Sequence, residues 1–248
     1  NIPEVTLEGG FDIVIGNPPY VRQEDIINQG LNPERVESLP SSEVKDLKKE
    51  YKSRLQSYVN QTFDIKPYLR SDLYLPFFFK GLEILNEGGV LTYVTSSSWL
   101  DVGYGVRLQE GMLRNGQVNR ILDNRKQRTF VEADVNTVIT SLTKTQNEIL
   151  SGDTAFCSIY APYNELVEAG TMSELLVDSE TASSEIEFEG QPLTLNRTDG
   201  FRKIKISEPS LWQFGGGSVS DLSDSTIQAE QSESVTSTKK PQGKYSTG

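Results

Sequence analysis

The sequence contains no histidine and a single cysteine, Cys157. The first absence removes the commonest general base and metal ligand together. The second excludes an internal disulfide and any thiolate metal cluster, and it leaves Cys157 to read as a small buried hydrophobe. No apolar run approaches the roughly 20 residues that a bilayer-spanning helix needs. Nothing has the order of a signal peptide, so a cytoplasmic location is expected by elimination. No glycine run has the context of a nucleotide fingerprint, which needs a strand before it and a helix opening after it. Gly9-Gly10, Gly88-Gly89 and Gly215–Gly217 all lack that setting. Large apolar residues also become scarce after Gly215, where Ser, Thr, Gln, Glu and Asp take over. Such a segment cannot offset its own ordering entropy, so 215–248 is expected to be a disordered tail.

What is present supports a sizeable core. The 248 residues are 35% hydrophobic, enough for one large domain or one medium domain and part of another. Net charge is −11, which weighs mildly against a polyanionic partner. The imbalance is uneven, however. Residues 1–150 carry 20 acidic and 17 basic side chains, and residues 151–248 carry 15 and 7. Lys and Arg gather locally at Arg120, Arg125, Lys126 and Arg128, and phosphate contact depends on local distribution more than on the total.

Phe11-Asp12-Ile13-Val14-Ile15-Gly16 reads as a short buried strand, because β-branched residues dominate it and a glycine closes it. A parallel strand of this kind needs neighbours on both sides, and nothing precedes it to supply them. The chain is therefore expected to be a piece of a longer polypeptide. A long polar connection follows over 21–71, with a helix expected at about 42–58 capped by Ser41 or Ser42. An insert of that length is expected to act at the site. Leu73 to Asn86 has helical periodicity, with Asp72 or Ser71 as its cap and Glu87-Gly88-Gly89 as its end. Val90–Thr95 reads as a second parallel strand. A helix over about 104–115, strands over 118–123 and 135–143, and a basic link between those strands complete an α/β pattern. That link suggests a terminal antiparallel hairpin. Residues 155–161 and 184–206 carry further strand signals, so 1–150 is assigned as one unit and 151–214 as the start of a linker or a further region.

Behind the first strand stands Asn17-Pro18-Pro19-Tyr20. The two prolines fix φ and remove two donors, and Asn17, preceding proline, is held extended. A carboxamide oxygen and a backbone carbonyl are thus offered together at the C-terminal edge of a sheet, where open α/β folds place their chemistry. Two acceptors suit a planar –NH2 group with two hydrogens, such as an exocyclic base amine or a primary amide. Polarising both N–H bonds favours the more tetrahedral nitrogen of an attacking amine, which stabilises the transition state above the ground state. Tyr20 supplies a stacking surface, and an alkylated nitrogen can release its proton to water without a histidine.

Asn17-Pro18-Pro19-Tyr20 resembles the catalytic motif of amino-methyltransferases that use S-adenosylmethionine. The surrounding order is similar to adenine-N6 DNA methyltransferases of the gamma arrangement, as in the methylase part of single-chain type II restriction–modification enzymes. Ser71-Asp72-Leu73-Tyr74-Leu75-Pro76-Phe77 resembles the segment lining the cofactor's adenine pocket, which implies that role for Leu73 and Phe77. Leu85–Thr95 with Ser96-Ser97-Ser98-Trp99-Leu100 resembles the fifth core strand and its exit loop. Thr129-Phe130-Val131-Glu132-Ala133-Asp134-Val135-Asn136 resembles a late motif whose aromatic ring, here Phe130, packs on a flipped base.

The resemblance implies an α/β fold, namely the C-terminal half of a Rossmann-like S-adenosylmethionine-dependent methyltransferase sheet. It implies double-stranded DNA as partner, with the adenine held between Tyr20 and Phe130. Asn17 and Pro18 would grip N6, Asn17 would also border the cofactor, Arg125 and Arg128 would meet phosphates, and no metal would be needed. The motif that carries the cofactor's methionine end is absent, so inactivity of this piece alone is expected. Three alternatives stay open: a protein-glutamine amide N-methyltransferase, a cytosine-N4 enzyme, and a non-catalytic DNA-binding remnant.

Overall fold

The run Phe11–Gly16 forms strand β1, and the elements that follow alternate largely as their apolar periodicity predicts. In the computed structural model described here, the described residues are 9–28, 30–101, 103–125, 136–145, 152–168, 183–188, 191–197 and 201–207. After β1 come helices α1 (Pro33–Glu37), α2 (Ser41–Phe63) and α3 (Tyr74–Ile84), then β2 (Leu85–Ser96) and a 3-10 turn (Ser97–Leu100). Helix α4 (Gly105–Asn115) leads to β3 (Gly116–Asn124), β4 (Thr137–Lys144) and β5 (Asp153–Ile159). Helix α5 (Tyr163–Glu168) and strands β6 (Ser183–Phe188), β7 (Gln191–Arg197) and β8 (Phe201–Ser207) complete the described chain.

The strands make one eight-stranded mixed sheet in the order β1-β2-β4-β3-β5-β8-β7-β6. β1 and β2 are parallel, with Gly16 opposite Tyr93. β4 runs antiparallel between β2 and β3, pairing Ser96 with Thr137 and Asp123 with Val138. β5 is parallel to β3 and ends with Ile159 opposite Asn124. β1, β2, β3 and β5 thus finish at one edge of the sheet, at Gly16, Ser96, Asn124 and Ile159, and β7 ends there too at Arg197. This is the α/β architecture the sequence implied, with a helix on each crossover from β1 to β2 and from β2 to β3.

Helices α2, α3 and α4 cover one face. Val59, Phe78, Phe79, Leu82, Leu91, Leu108, Val138 and Leu142 are almost wholly removed from solvent in a single cluster. Burying each such side chain contributes roughly 1.5–3 kcal/mol before ordering costs. A second cluster joins Leu122, Ala155, Cys157, Ile159, Leu166 and Phe201, so Cys157 is the buried small hydrophobe expected.

Several boundaries differ from the sequence reading. β1 lies at the edge of the described sheet and is not the buried strand expected: none of its residues is fully buried, Val14 being partly buried against the core while Ile13 and Ile15 are 64% and 77% exposed. α3 stops at Ile84 rather than Asn86, because Leu85 already pairs with Phe11 and is fully buried. Gly88 then takes a φ of +77° within β2, which lets the pairing jump from Leu85 to Val90 while β1 advances two residues. Helix α2 extends through Phe63, and its N-cap is Pro40 with no side-chain cap bond. Ser41 and Ser42 therefore lie inside the first turn rather than capping it. The β3–β4 hairpin is not terminal, since β5 pairs with β3 and the sheet continues across residue 150 through β8, β7 and β6. The tail 215–248 lies outside the described residues.

Candidate active site

β1 delivers Asn17 to the shared C-terminal edge, where its side chain is exposed and Pro18 behind it is buried. The pair therefore combines an accessible carboxamide with a proline anchored in the protein, as a stiff presenting loop requires. Tyr20 is half-buried, and its hydroxyl donates to the Val94 carbonyl at 3.3 Å. Burial pushes its phenol pKa up, so the hydroxyl stays protonated and remains a donor at neutral pH. The ring is thereby pinned beside the end of β2.

The segment leaving the motif is held from two sides. Leu73 donates its N–H to the Val21 carbonyl at 3.0 Å, and Gln23 donates its N–H to Asp72 Oδ1, also at 3.0 Å. On the other side, Lys48 Nζ of α2 donates to the Glu24 carbonyl at 2.7 Å and Lys52 Nζ to the Gln23 carbonyl at 3.2 Å. The long insert thus braces the loop with two ammonium groups.

Asp72 behaves differently from the expected helix cap. The N-cap of α3 is Leu73, again without a side-chain cap bond. The Asp72 carboxylate instead accepts from Gln23 N–H and, through Oδ2, from Tyr104 Oη at 2.7 Å. Tyr104 Oη lies 2.7 Å from Tyr74 Oη. Burial and the bonds to Tyr74 and Asp72 hold the Tyr104 phenol far above its usual range. Tyr104 carries no local spacing signal, because thirty-two residues separate it from its partner.

Of the residues expected to border the cofactor, Leu73 is half-buried and Phe77 is 39% exposed, although the neighbouring Phe78 and Phe79 are fully buried. Leu73 and Phe77 are one turn apart, so they share a side of the segment. Trp99 is buried, in line with a core role. At the far end of the same edge, Arg125 donates its backbone N–H to the Ile159 carbonyl at 2.8 Å, and its exposed guanidinium pairs with Asp123 at 2.5 Å. Burial raises the Asp123 carboxyl's pKa, and the Arg125 charge opposes that rise. Arg128 and Phe130 lie outside the described residues. Their loop leaves at Arg125 and returns at Asn136, whose carbonyl accepts from Ser97 N–H at 2.9 Å, so both its ends sit at the edge that carries Asn17. Among the described residues, no cluster of three or more His, Cys, Asp or Glu side chains is placed to hold a metal ion. No described helix is long and apolar enough to cross a membrane.

An α/β sheet with an Asn-Pro-Pro-Tyr loop at its C-terminal edge defines the class expected from the motif. The chain belongs to the Eco57I restriction-modification methylase family, which it matches over residues 1–130. It is 33% identical over 120 residues to the type II methyltransferase M.BstVI of Geobacillus stearothermophilus, a match covering 48% of this chain and 17% of that protein. To M.PaeR7I of Pseudomonas aeruginosa it is 36% identical over 99 residues, covering 40% and 13%. Among solved structures, the type IIG restriction endonuclease BpuSI superposes with a TM-score of 0.48 at 14% identity, covering 90% of this chain and 22% of that one. The matched part of the chain spans 12 to 17% of the curated relatives' length.

Proposed function

We propose that the intact polypeptide transfers a methyl group from S-adenosylmethionine to N6 of an adenine flipped out of duplex DNA, as the modification activity of a restriction–modification system. The observation that carries this reading is the accessible Asn17 carboxamide at the sheet edge, fixed by buried Pro18 and by the Tyr20–Val94 bond. Membership of the methylase family supports it. So does the placement of both ends of the Phe130 loop at the same edge.

When bound, S-adenosylmethionine supplies an electrophilic methyl group on a sulfonium sulfur. The exposed Phe77 ring and half-buried Leu73 offer an apolar wall suited to a planar purine, and Leu73 is hydrogen-bonded directly to the catalytic loop. Asn17 Oδ1 and the Pro18 carbonyl accept the two N6 hydrogens and localise the nitrogen lone pair for attack. These two acceptors hold N6 with its pair directed at the donor methyl, the C–S pair staying with the leaving sulfur, and keep hold of the alkylated nitrogen while its extra proton passes to water. Tyr20 and Phe130 stack on the extruded base and recover part of the few kcal/mol that flipping costs. Arg125 and Arg128 meet phosphates and position the duplex without reading it. Residues 151–214 lead into target recognition.

The test is transfer of labelled methyl from S-adenosylmethionine to unmethylated DNA by the intact polypeptide, with mass spectrometry of the released nucleosides. N6-methyladenine is the expected product. Asn17→Ala is expected to abolish its formation while leaving DNA affinity within about threefold, since the carboxamide acts on the transition state rather than on the duplex. Product on cytosine N4 or on a protein glutamine would overturn the acceptor assignment, and unchanged incorporation by Asn17→Ala would overturn the mechanism.

A further inference from the structure

We propose that Asp72 is the positioning residue of the methyl-transfer site, a carboxylate latch that sets the catalytic loop against the cofactor-side helix. The inference rests on the assignment of Asn17–Tyr20 as the transfer loop and adds a residue to it. Three segments distant in sequence meet at this one side chain. Oδ1 accepts from the backbone N–H of Gln23, three residues beyond Tyr20. Oδ2 accepts from Tyr104 Oη at the entry to α4, and Tyr104 is held in turn by Tyr74 in the first turn of α3. The next residue, Leu73, closes the arrangement with its backbone bond to Val21.

The geometry distinguishes a latch from an ordinary surface carboxylate. Both oxygens are committed, each to a donor from a different element, and the bonds run to a backbone amide and a half-buried phenol rather than to a mobile cation. The Val21 and Gln23 contacts make a two-rung ladder between the loop and residues 72–73. The loop is consequently set in the same frame as Leu73 and Phe77. A displacement there of about 1 Å is enough to cost on the order of a hundredfold in rate when a reacting pair must be held in line. An acceptor is needed at Oδ1, but a negative charge is not. An asparagine could accept from Gln23 through its oxygen and donate to Tyr104 through its nitrogen.

The experiment compares Asp72→Ala, Asp72→Asn and Tyr104→Phe in the intact polypeptide. Amide hydrogen exchange is followed across residues 17–25, alongside steady-state transfer of labelled methyl to unmethylated DNA. Asp72→Ala is expected to speed exchange at Gln23 at least about tenfold. It should lower kcat by at least about tenfold with KM for S-adenosylmethionine changed less than about threefold, as loss of a transition-state alignment requires. Asp72→Asn is expected to restore most of both, which a role in bulk electrostatics would not permit. Tyr104→Phe, which keeps the ring and removes the hydroxyl's bonds to Asp72 and Tyr74 while leaving the Gln23–Asp72 bond in place, gives the same direction at smaller size and serves where Asp72→Ala does not fold. Unchanged exchange at Gln23 in Asp72→Ala, or an Asn variant as impaired as the Ala variant, would overturn the latch. The exchange readout decides this even where DNA takes up no methyl, so a failed latch and a failed functional reading give different results.

Discussion

Asn17, Pro18 and Tyr20 adjoin in sequence yet have different environments: the first is exposed, the second buried and the third half-buried. That difference separates their roles. The carboxamide faces solvent where a substrate can reach it, the proline anchors the turn, and the tyrosine is tethered through its hydroxyl. The hydroxyl and the ring of Tyr20 can be told apart experimentally. Tyr20→Phe loses the 3.3 Å bond to Val94, which at that length stabilises by about 0.5–1.5 kcal/mol. It is expected to keep methyl transfer within about tenfold, because the stacking surface survives. Tyr20→Ala removes that surface, worth about 1–3 kcal/mol per stacked base, and is expected to weaken productive DNA complexes accordingly. Base-analogue fluorescence at the target adenine, together with transfer rates, measures both. Equal losses in the two variants would assign the role to the hydroxyl and not to the ring. At this scale the motif was legible because proline chemistry is local. The Asp72–Tyr104 bond was not, because its two ends meet only after α3, β2 and the 3-10 turn have folded.

At the scale of the element, the helices between strands bring the 3-10 turn and the start of α4 into very close approach. A Cβ placed on Gly105 would lie 1.8 Å from the Trp99 carbonyl oxygen, and backbone cannot yield as a side-chain tip can. Gly105→Ala is therefore expected to destabilise the protein by about 1–3 kcal/mol, seen as a lower urea midpoint. Because Gly105 follows Tyr104, the same substitution is expected to loosen the Tyr104–Asp72 contact and speed amide exchange over residues 21–25. A stable Gly105→Ala protein with unaltered exchange would show that α4 can shift without disturbing the loop. Helix α2 makes a related point about inserts. Its Lys-, Glu- and Leu-rich composition marked a helix, yet its use, two lysines on the Gln23 and Glu24 carbonyls, depends on where the helix lies.

On the scale of the whole molecule, the proposed duplex partner requires an acidic chain to present a local surface that tolerates phosphate. The acidic excess is concentrated in residues 151–248, whereas Gly16, Ser96 and Asn124, three of the strand ends at the edge that carries Asn17, precede that region. Arg125 stands at that edge, 63% exposed and paired with Asp123. If it also meets a phosphate, Arg125→Ala in the intact polypeptide should lower the magnitude of the slope of log Kobs against log salt by about 1. Fluorescence anisotropy over a salt series gives that slope, and an unchanged value would reduce Arg125 to an intramolecular partner of Asp123.

The sequence by itself determined the class of this protein. Strand and helix periodicities and the stiffness of the Asn-Pro-Pro-Tyr loop follow from interactions within a few residues, where steric and hydrophobic preferences act directly. Tertiary structure alone decided which strands are neighbours, that β4 enters between β2 and β3, and that Asp72 serves a distant loop instead of its own helix. Those outcomes depend on contacts between residues tens of positions apart, and no local preference encodes a partner at that separation.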